Sequence, residues 1–138
     1  MTKVLCMSHG PLARGMVETA QFIIGKNQYL EYLCAYIDGN DDLEKTISEY
    51  VTANGVEPLI VVTDIFGGSI NNEWMKYIST ISSIHLIAGM NLSLVIELVV
   101  KLDSQQELTQ LIQEAIKTSA QGLIYCNQLT YEEENEEF

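Results

Sequence analysis

The chain has little positive charge and no apolar segment long enough to cross a membrane. Seven lysines and arginines stand against 19 acidic residues, which gives a formal net charge of −12. Nucleic-acid binding is not expected, because phosphate backbones are held by clustered basic side chains and these are scattered. Glu97 interrupts the most apolar stretch, residues 92–100. That stretch falls short of the ~20 apolar residues that span a bilayer, and the N-terminal apolar run is too short for a signal peptide.

Cysteine is also scarce, and no set of metal ligands stands out. Cys6, Cys34 and Cys126 are odd in number, lie in apolar stretches and have no Cys-x-x-Cys spacing, so neither a disulfide framework nor a zinc site is expected. Residues 38–42 resemble a calcium loop only faintly, since no bidentate glutamate follows at the right spacing. The sequence therefore predicts no metal and no cofactor. The cysteines are interpreted as small core residues of a protein in a reducing, cytoplasmic compartment.

The length of 138 residues fits one domain, which at this size buries roughly 68–70% of the surface of its unfolded chain. We assign residues 1–130 to this domain. Residues 131–138 contain five glutamates and are expected to form a solvated, disordered tail.

Strand-like and helix-like periodicities alternate along the chain, which favours an α/β fold with a mainly parallel sheet over a helical bundle. Five strands are predicted, at residues 3–7, 32–37, 59–63, 83–88 and 122–126. The alternation predicts a doubly wound, flavodoxin-like sheet of order 2-1-3-4-5 with helices on both faces. In that order the chain winds in opposite directions from strands one and three, so a crevice opens between the loops that follow them.

Helix boundaries follow from spacing and from capping residues. The first helix is expected to end at Gly25, the second to begin at Asp41 and the third to begin near Ser69. Ser104 is predicted to cap the last helix, and Trp74 is expected in the core or an interface. The apolar face of the first helix is predicted to comprise Leu12, Met16, Ala20 and Ile23.

The two loops that this topology brings together carry a histidine and an aspartate. His9 ends the first apolar strand, and Asp64 follows the third. A carboxylate that accepts a hydrogen bond from one ring N–H fixes the tautomer of a neutral imidazole and leaves the lone pair of the other nitrogen free. Asp64 is therefore predicted to orient His9 as a nucleophile and to stabilise the cation that forms when the ring is phosphorylated or protonated.

Gly67, Gly68 and Ser69 lead from the Asp64 loop into the third helix. Two glycines let the backbone approach an anion closely, and a helix start offers free N–H groups with a favourable dipole. Ser69 adds a hydroxyl donor. Taken alone, a glycine turn followed by a serine cap is a common structural device. Beside His9, the segment predicts an anion pocket that faces a nucleophile.

Gly10, Arg14 and Phe66 are further candidates around this pocket. Gly10 forms the turn after His9, and Arg14 lies one turn into the first helix, where it either docks a carboxylate or phosphate or is a solvated charge. Phe66 is expected at the pocket rim or in a protein interface. His85 alternates with apolar neighbours and is expected to be a structural strand residue.

The motifs at residues 8–15, 64–69 and 88–92, taken in order, resemble those of the enzyme IIA component of the mannose-type phosphotransferase system, which serves mannose, fructose and sorbose. The resemblance extends to about Cys126. It implies that His9 accepts a phosphoryl group from the phosphocarrier HPr and passes it to an enzyme IIB component of a sugar transporter. The chain would then meet a membrane only indirectly, through the transporter complex. The resemblance also implies that Asp64 orients His9, that residues 67–69 bind phosphate, and that the strand at 122–126 is exchanged in a homodimer.

The chain departs from the family at Ile70 and Ser93, where the family commonly has proline. Proline at the first helical position pre-sets the backbone, so its loss is expected to loosen these helix starts without removing a reacting group.

Two other function classes stay open. A phosphotransfer subunit of a dihydroxyacetone kinase would pass the phosphoryl group to a kinase-bound nucleotide. A non-catalytic, flavodoxin-like module would bind a nucleotide or flavin in the same crevice. ATP is not expected as the direct donor, because the chain lacks a Gly-x-x-x-x-Gly-Lys loop.

Overall fold

The computed structural model describes residues 1–129, in which four parallel strands form one sheet between helices. The strands are β1 (Lys3–His9), β2 (Leu30–Ala35), β3 (Leu59–Thr63) and β4 (Ile84–Ala88), in the order β2-β1-β3-β4. The helices are α1 (Leu12–Ile24), α2 (Leu43–Asn54), α3 (Ser69–Ile78), α4 (Leu92–Lys101) and α5 (Leu108–Ala120). Within residues 1–129, no helix is both long enough and apolar enough to cross a membrane. The predicted α/β class and the strand order 2-1-3-4 are confirmed.

The central strands β1 and β3 are covered on both faces, as their continuous apolar runs predict. Val4 and Cys6 of β1 pack with α1, α4 and α5, whereas Leu5 and Met7 pack with α2 and α3. Trp74 is fully buried in the second of these clusters, and its Nε1 lies 3.3 Å from Met7 Sδ. The predicted helices on both faces and the core position of Trp74 are therefore confirmed.

The apolar face of α1 is rotated by one residue from the predicted face. Leu12 and Ile23 are exposed, so the prediction was wrong for both. The two alternative faces share the same three- and four-residue spacing, and the small Ala13 lets the helix lie close to the sheet. The inner side consists of the buried residues Ala13, Val17 and Ala20, with Met16 and Ile24 partly buried beside them.

Two helix starts also lie a few residues from their predicted positions. Asp42, not Asp41, caps α2, because its side chain accepts the Lys45 N–H at 3.2 Å. Glu107 caps α5 by accepting backbone N–H groups of the first turn, while the Ser104 hydroxyl donates to the preceding helix. The predicted end of α1 at Gly25 and the start of α3 at Ser69 are confirmed.

Residues 122–126 do not form a strand in the single chain, so the expectation of a fifth strand in the sheet is not met. Leu123, Ile124 and Tyr125 are exposed after α5, and a short 3₁₀ helix spans Cys126–Gln128. A strand needs a neighbour for its backbone hydrogen bonds, so pairing of this segment with a second subunit stays a prediction. The acidic tail predicted at residues 131–138 lies outside the described residues.

Two of the three cysteines lie where the sequence predicts. Cys6 and Cys34 are buried free thiols, and burial raises the pKa of Cys6 to about 12. Cys126 is exposed, so its assignment to the core was wrong. Its apolar neighbours in sequence belong to the uncovered segment after α5 and not to the core.

Candidate functional site

His9 and Asp64 meet at the carboxyl ends of the two central strands. His9 ends β1, Asp64 directly follows β3, and these strands pair in parallel. His9 Nδ1 lies 2.7 Å from Asp64 Oδ2, and the backbone N–H of His9 donates to the same oxygen at 2.8 Å. The other carboxylate oxygen accepts the Ile65 N–H at 3.0 Å. The structure therefore brings together the two residues that the strand order predicts to be neighbours.

The electrostatics of the pair identify the free ring nitrogen. Partial burial raises the pKa of Asp64. Hydrogen bonds from the backbone and ring of His9 and from Ile65 lower this pKa by more than burial raises it, so the pKa of Asp64 is below its usual value. An ionised carboxylate only accepts hydrogen bonds, so Nδ1 of His9 carries a proton, and in the neutral imidazole Nε2 keeps its lone pair. The His9 side chain is 44% exposed and that of Asp64 only 12%, so the lone pair faces an accessible crevice.

The hydroxyl of Ser69 faces this free nitrogen. Ser69 Oγ lies 3.4 Å from His9 Nε2 and 2.7 Å from the Tyr36 hydroxyl. Gly67 has a left-handed φ of 81°, which glycine adopts at little cost, and Gly68 is the N-cap of α3. The Ser69 hydroxyl therefore does not cap the helix, contrary to the purely structural interpretation of this segment. It is available to a ligand at Nε2.

The three further candidates differ in their contacts within the chain. Gly10 has a left-handed φ of 62°, which lets the chain turn at the end of β1, and its N–H donates to the backbone oxygen of Ala35. Arg14 forms an ion pair with Asp38, in which Arg14 Nη1 lies 3.3 Å from Asp38 Oδ2. Phe66 is 79% exposed and is free for a contact outside the chain. His85 lies in β4, as predicted for a strand residue.

Tyr36 is part of the site, although the sequence predicts it to lie inside a strand at residues 32–37. β2 ends at Ala35, and Tyr36 turns back with a left-handed φ of 69°. Its ring centroid lies 5.6 Å from that of His9. The polar segment at residues 38–40 is the one sequence signal that favours an earlier end of the strand, since such residues are typical of turns.

The two positions that depart from the resembled family lie in the first turns of α3 and α4. Ile70 is fully buried in the core. Ser93 lies two residues after the N-cap Asn91, whose side chain accepts the Leu94 N–H at 2.9 Å. Core packing and a side-chain cap therefore support these starts without proline, and the expected loosening stays a prediction.

The lowered pKa of Asp64 makes a testable contribution to stability. Because the folded state favours the ionised carboxylate, that stabilisation is present above the unfolded pKa of about 3.9 and is lost as the pH falls through the lower folded value. The difference in free energy of unfolding between wild type and Asp64→Asn should therefore shrink below about pH 4. Denaturant titrations between about pH 3 and 7 measure it. A difference that does not vary with pH would contradict the assignment.

Comparisons with known proteins agree with the resemblance. A family model described as the PTS system fructose IIA component matches residues 3–120. Comparison with curated proteins gives no match. A solved structure described as a phosphoenolpyruvate-dependent sugar phosphotransferase system (PTS) permease from Klebsiella pneumoniae subsp. pneumoniae is 34% identical, with 92% of each chain covered and a TM-score of 0.86.

Two other solved structures extend the likeness. The PTS IIA protein associated with the fucose utilization operon of Streptococcus pneumoniae is 25% identical, with 92% of this chain and 94% of that chain covered and a TM-score of 0.69. The mannose/sorbose-specific IIA subunit from Enterococcus faecalis is 22% identical, with 89% of this chain and 92% of that chain covered and a TM-score of 0.75. At this identity the likeness shows the fold alone. Because the family model matches most of its length and a solved structure is 34% identical to it, the chain belongs to the mannose-type enzyme IIA family of the sugar phosphotransferase system.

Proposed function

We propose that the protein is a phosphocarrier of a bacterial sugar phosphotransferase system. It accepts a phosphoryl group from phospho-HPr on His9 Nε2 and passes it to an enzyme IIB component during sugar uptake. The observation that carries this proposal is the 2.7 Å contact between His9 Nδ1 and the Asp64 carboxylate, which leaves Nε2 as an accessible nucleophile. Membership of the enzyme IIA family supports the same role.

The transfer requires one bond to form and one to break. The lone pair of His9 Nε2 forms a bond to phosphorus while the bond from phosphorus to the donor histidine nitrogen breaks, and that bonding pair returns to the donor. His9 keeps its proton on Nδ1, so the phosphorylated ring is cationic and is stabilised by Asp64. No general base is needed. Catalysis in such a transfer comes from placement and charge stabilisation.

The start of α3 supplies the donors for the phosphoryl oxygens. Its first backbone N–H groups have no acceptor within the helix, and the helix dipole favours an anion there. Gly68 lets the backbone approach closely, because a Cβ at this position would lie only 3.4 Å from His9 Cε1. The Ser69 hydroxyl, 3.4 Å from Nε2, adds a donor on the side from which phosphorus arrives.

The partners of this carrier would be two phosphotransfer proteins and a second copy of the chain. Ile65 and Phe66 expose apolar surface beside the site, which suits a protein that must bring its own histidine to His9. Leu123, Ile124 and Tyr125 expose apolar surface after α5, which suits the predicted strand exchange in a homodimer. The proposal places these contacts in the cytoplasm, with the membrane reached only through the transporter.

Gly68→Ala is expected to slow transfer about three- to tenfold, because displacements well below 1 Å at a reacting atom have effects of this order. The added Cβ would lie 3.0 Å from Ile65 Cγ2 and 3.4 Å from His9 Cε1, so the ring or its neighbour must move. Gly15→Ala is the control, since its Cβ in α1 meets no atom within 4 Å. Rapid-quench kinetics measure both. Equal rates for Gly68→Ala and wild type would show that the close approach is not needed.

Intact-protein mass spectrometry tests the proposed function directly. The protein is mixed at neutral pH with phosphoenolpyruvate, enzyme I and HPr, and a sample without enzyme I is the control. We expect a gain of one acid-labile phosphoryl group, located by tryptic digestion in the peptide of residues 4–14, which contains His9. No gain while HPr itself becomes phosphorylated would overturn the carrier function and favour a non-catalytic binding module.

A further inference from the structure

Tyr36 has a backbone conformation that its residue type does not favour. Within residues 1–129, only Tyr36 and Asp38 combine a side chain with a left-handed φ, at 69° and 56°. A Cβ crowds the following carbonyl in this region, so such residues persist only where their surroundings hold them. Hydrogen bonds do so here: the Tyr36 N–H donates to Asn40 O at 2.9 Å, and Asn40 Nδ2 donates to Cys34 O at 3.1 Å.

The turn directs the Tyr36 side chain to the site instead of along the strand. Its hydroxyl lies 2.7 Å from Ser69 Oγ, and its ring is tilted 37° to the ring of His9. The side chain is not placed there by burial, because Tyr36 remains 43% exposed. An unfavourable backbone that presents a half-exposed polar group to a nucleophile suggests a role in that site.

We propose that Tyr36 is a positioning residue for phosphoryl transfer at His9. This inference rests on the proposed function. The Tyr36 hydroxyl donates its hydrogen bond to Ser69 Oγ, so that the proton of Ser69 is directed at the lone pair of His9 Nε2 before transfer and at a phosphoryl oxygen afterwards. Tyr36 itself forms no covalent bond, and both hydroxyl protons stay on their oxygens throughout.

The charge of the phosphoryl group decides this direction of the hydrogen bond. A serine hydroxyl has one proton to donate. If Ser69 donated to Tyr36, its lone pairs would face the negative phosphoryl oxygens and repel them. If Tyr36 donates, the Ser69 proton remains available to the phosphoryl group. The anion therefore selects the arrangement in which tyrosine donates to serine and serine donates to phosphate.

Neutral donors suit a group that must leave again. Arg14, the basic side chain one turn into α1, is paired with Asp38. Hydrogen bonds between neutral donors and an anion are weaker than those from a cation, so they stabilise the transfer without trapping the phosphohistidine. An oriented serine hydroxyl supplies such a donor, provided that something fixes its direction.

Tyr36→Phe tests this role, because it removes the hydroxyl and keeps the ring. We expect kcat for acceptance from phospho-HPr to fall about three- to tenfold, with KM for phospho-HPr and the midpoint of thermal unfolding unchanged. Tyr32→Phe is the matched control, since Tyr32 is an exposed tyrosine of β2. If Tyr36 acts through Ser69, Tyr36→Phe should have little further effect in a Ser69→Ala background.

The outcomes separate this inference from the proposed function. Wild-type kinetics in Tyr36→Phe, a change in KM alone, or full additivity with Ser69→Ala would each overturn the positioning role, while phosphorylation of His9 would still stand. If the wild-type protein accepts no phosphoryl group from phospho-HPr, the proposed function fails first, before any variant is compared, and the role of Tyr36 fails with it.

Discussion

His9→Ala is expected to accept no measurable phosphoryl group from phospho-HPr, which corresponds to a fall in rate of at least about 10³-fold. The variant loses the Nε2 nucleophile, and no other residue in the crevice can take its place. Ser69 and Tyr36 carry hydroxyls that are weak nucleophiles without a base beside them. Mass spectrometry over a time course in which the wild type is fully converted measures the loss.

The second histidine of the chain supplies the control for this result. His85 lies in the edge strand β4, which β3 separates from β1. His85→Ala should therefore accept one phosphoryl group at about the wild-type rate. Circular dichroism must show that both variants are folded. Phosphorylation of folded His9→Ala, or its loss in folded His85→Ala, would contradict the assignment of His9 as acceptor.

Asp64→Asn is expected to retain the fold and to slow transfer roughly 10²- to 10⁴-fold, by analogy with amide replacements of histidine-orienting aspartates. The carboxylate receives three hydrogen bonds, from the backbone and ring of His9 at one oxygen and from Ile65 at the other. An amide has one oxygen and one NH₂ group, so one of these donors faces another donor. If the NH₂ group faces the ring, Nδ1 must accept from it and the ring proton moves to Nε2, which removes the attacking lone pair. If the oxygen faces the ring, the tautomer is kept, but the negative charge that stabilises the phosphorylated ring is lost.

Two measurements distinguish this cause from a general loss of structure. Rapid-quench kinetics give the transfer rate, and ¹⁵N NMR of the His9 ring shows which nitrogen is protonated. Asp103→Asn is the control, because it removes the same charge near the start of β1, at the opposite end of the strands from His9. Unchanged kinetics in Asp64→Asn would show that Asp64 does not orient His9. A slower rate with an unchanged tautomer would limit its role to stabilising the cation.

Much of the fold follows from local sequence patterns, because the central strands are buried on both faces. The apolar run of β3 predicts its observed bounds, residues 59–63. The pairing of His9 with Asp64 follows as well, since strand order alone places their loops side by side. The spacing of apolar residues in α1 is less decisive, because it allows two faces that differ by one residue.

The remaining features depend on contacts that local patterns do not contain. Tyr36 favours extended structure by residue type, yet its left-handed turn is imposed by hydrogen bonds within the loop that follows it. The segment at residues 122–126 has the apolar composition of a strand, yet no strand within residues 1–129 pairs with it. The predicted exchange with a second subunit would supply the neighbouring strand that this pattern requires.

Under the proposed function, the direct pairing of β1 with β3 makes phosphoryl acceptance a measure of global folding. Met7 lies opposite Thr63 at the last pair of this ladder, and His9 and Asp64 lie two residues and one residue beyond it. Core strands open only with the largest free energies in a protein, unlike mobile loops and lids. The pair should therefore separate only when the central sheet unfolds. In a partly denatured sample, the fraction of chains competent for transfer would equal the fraction that is folded.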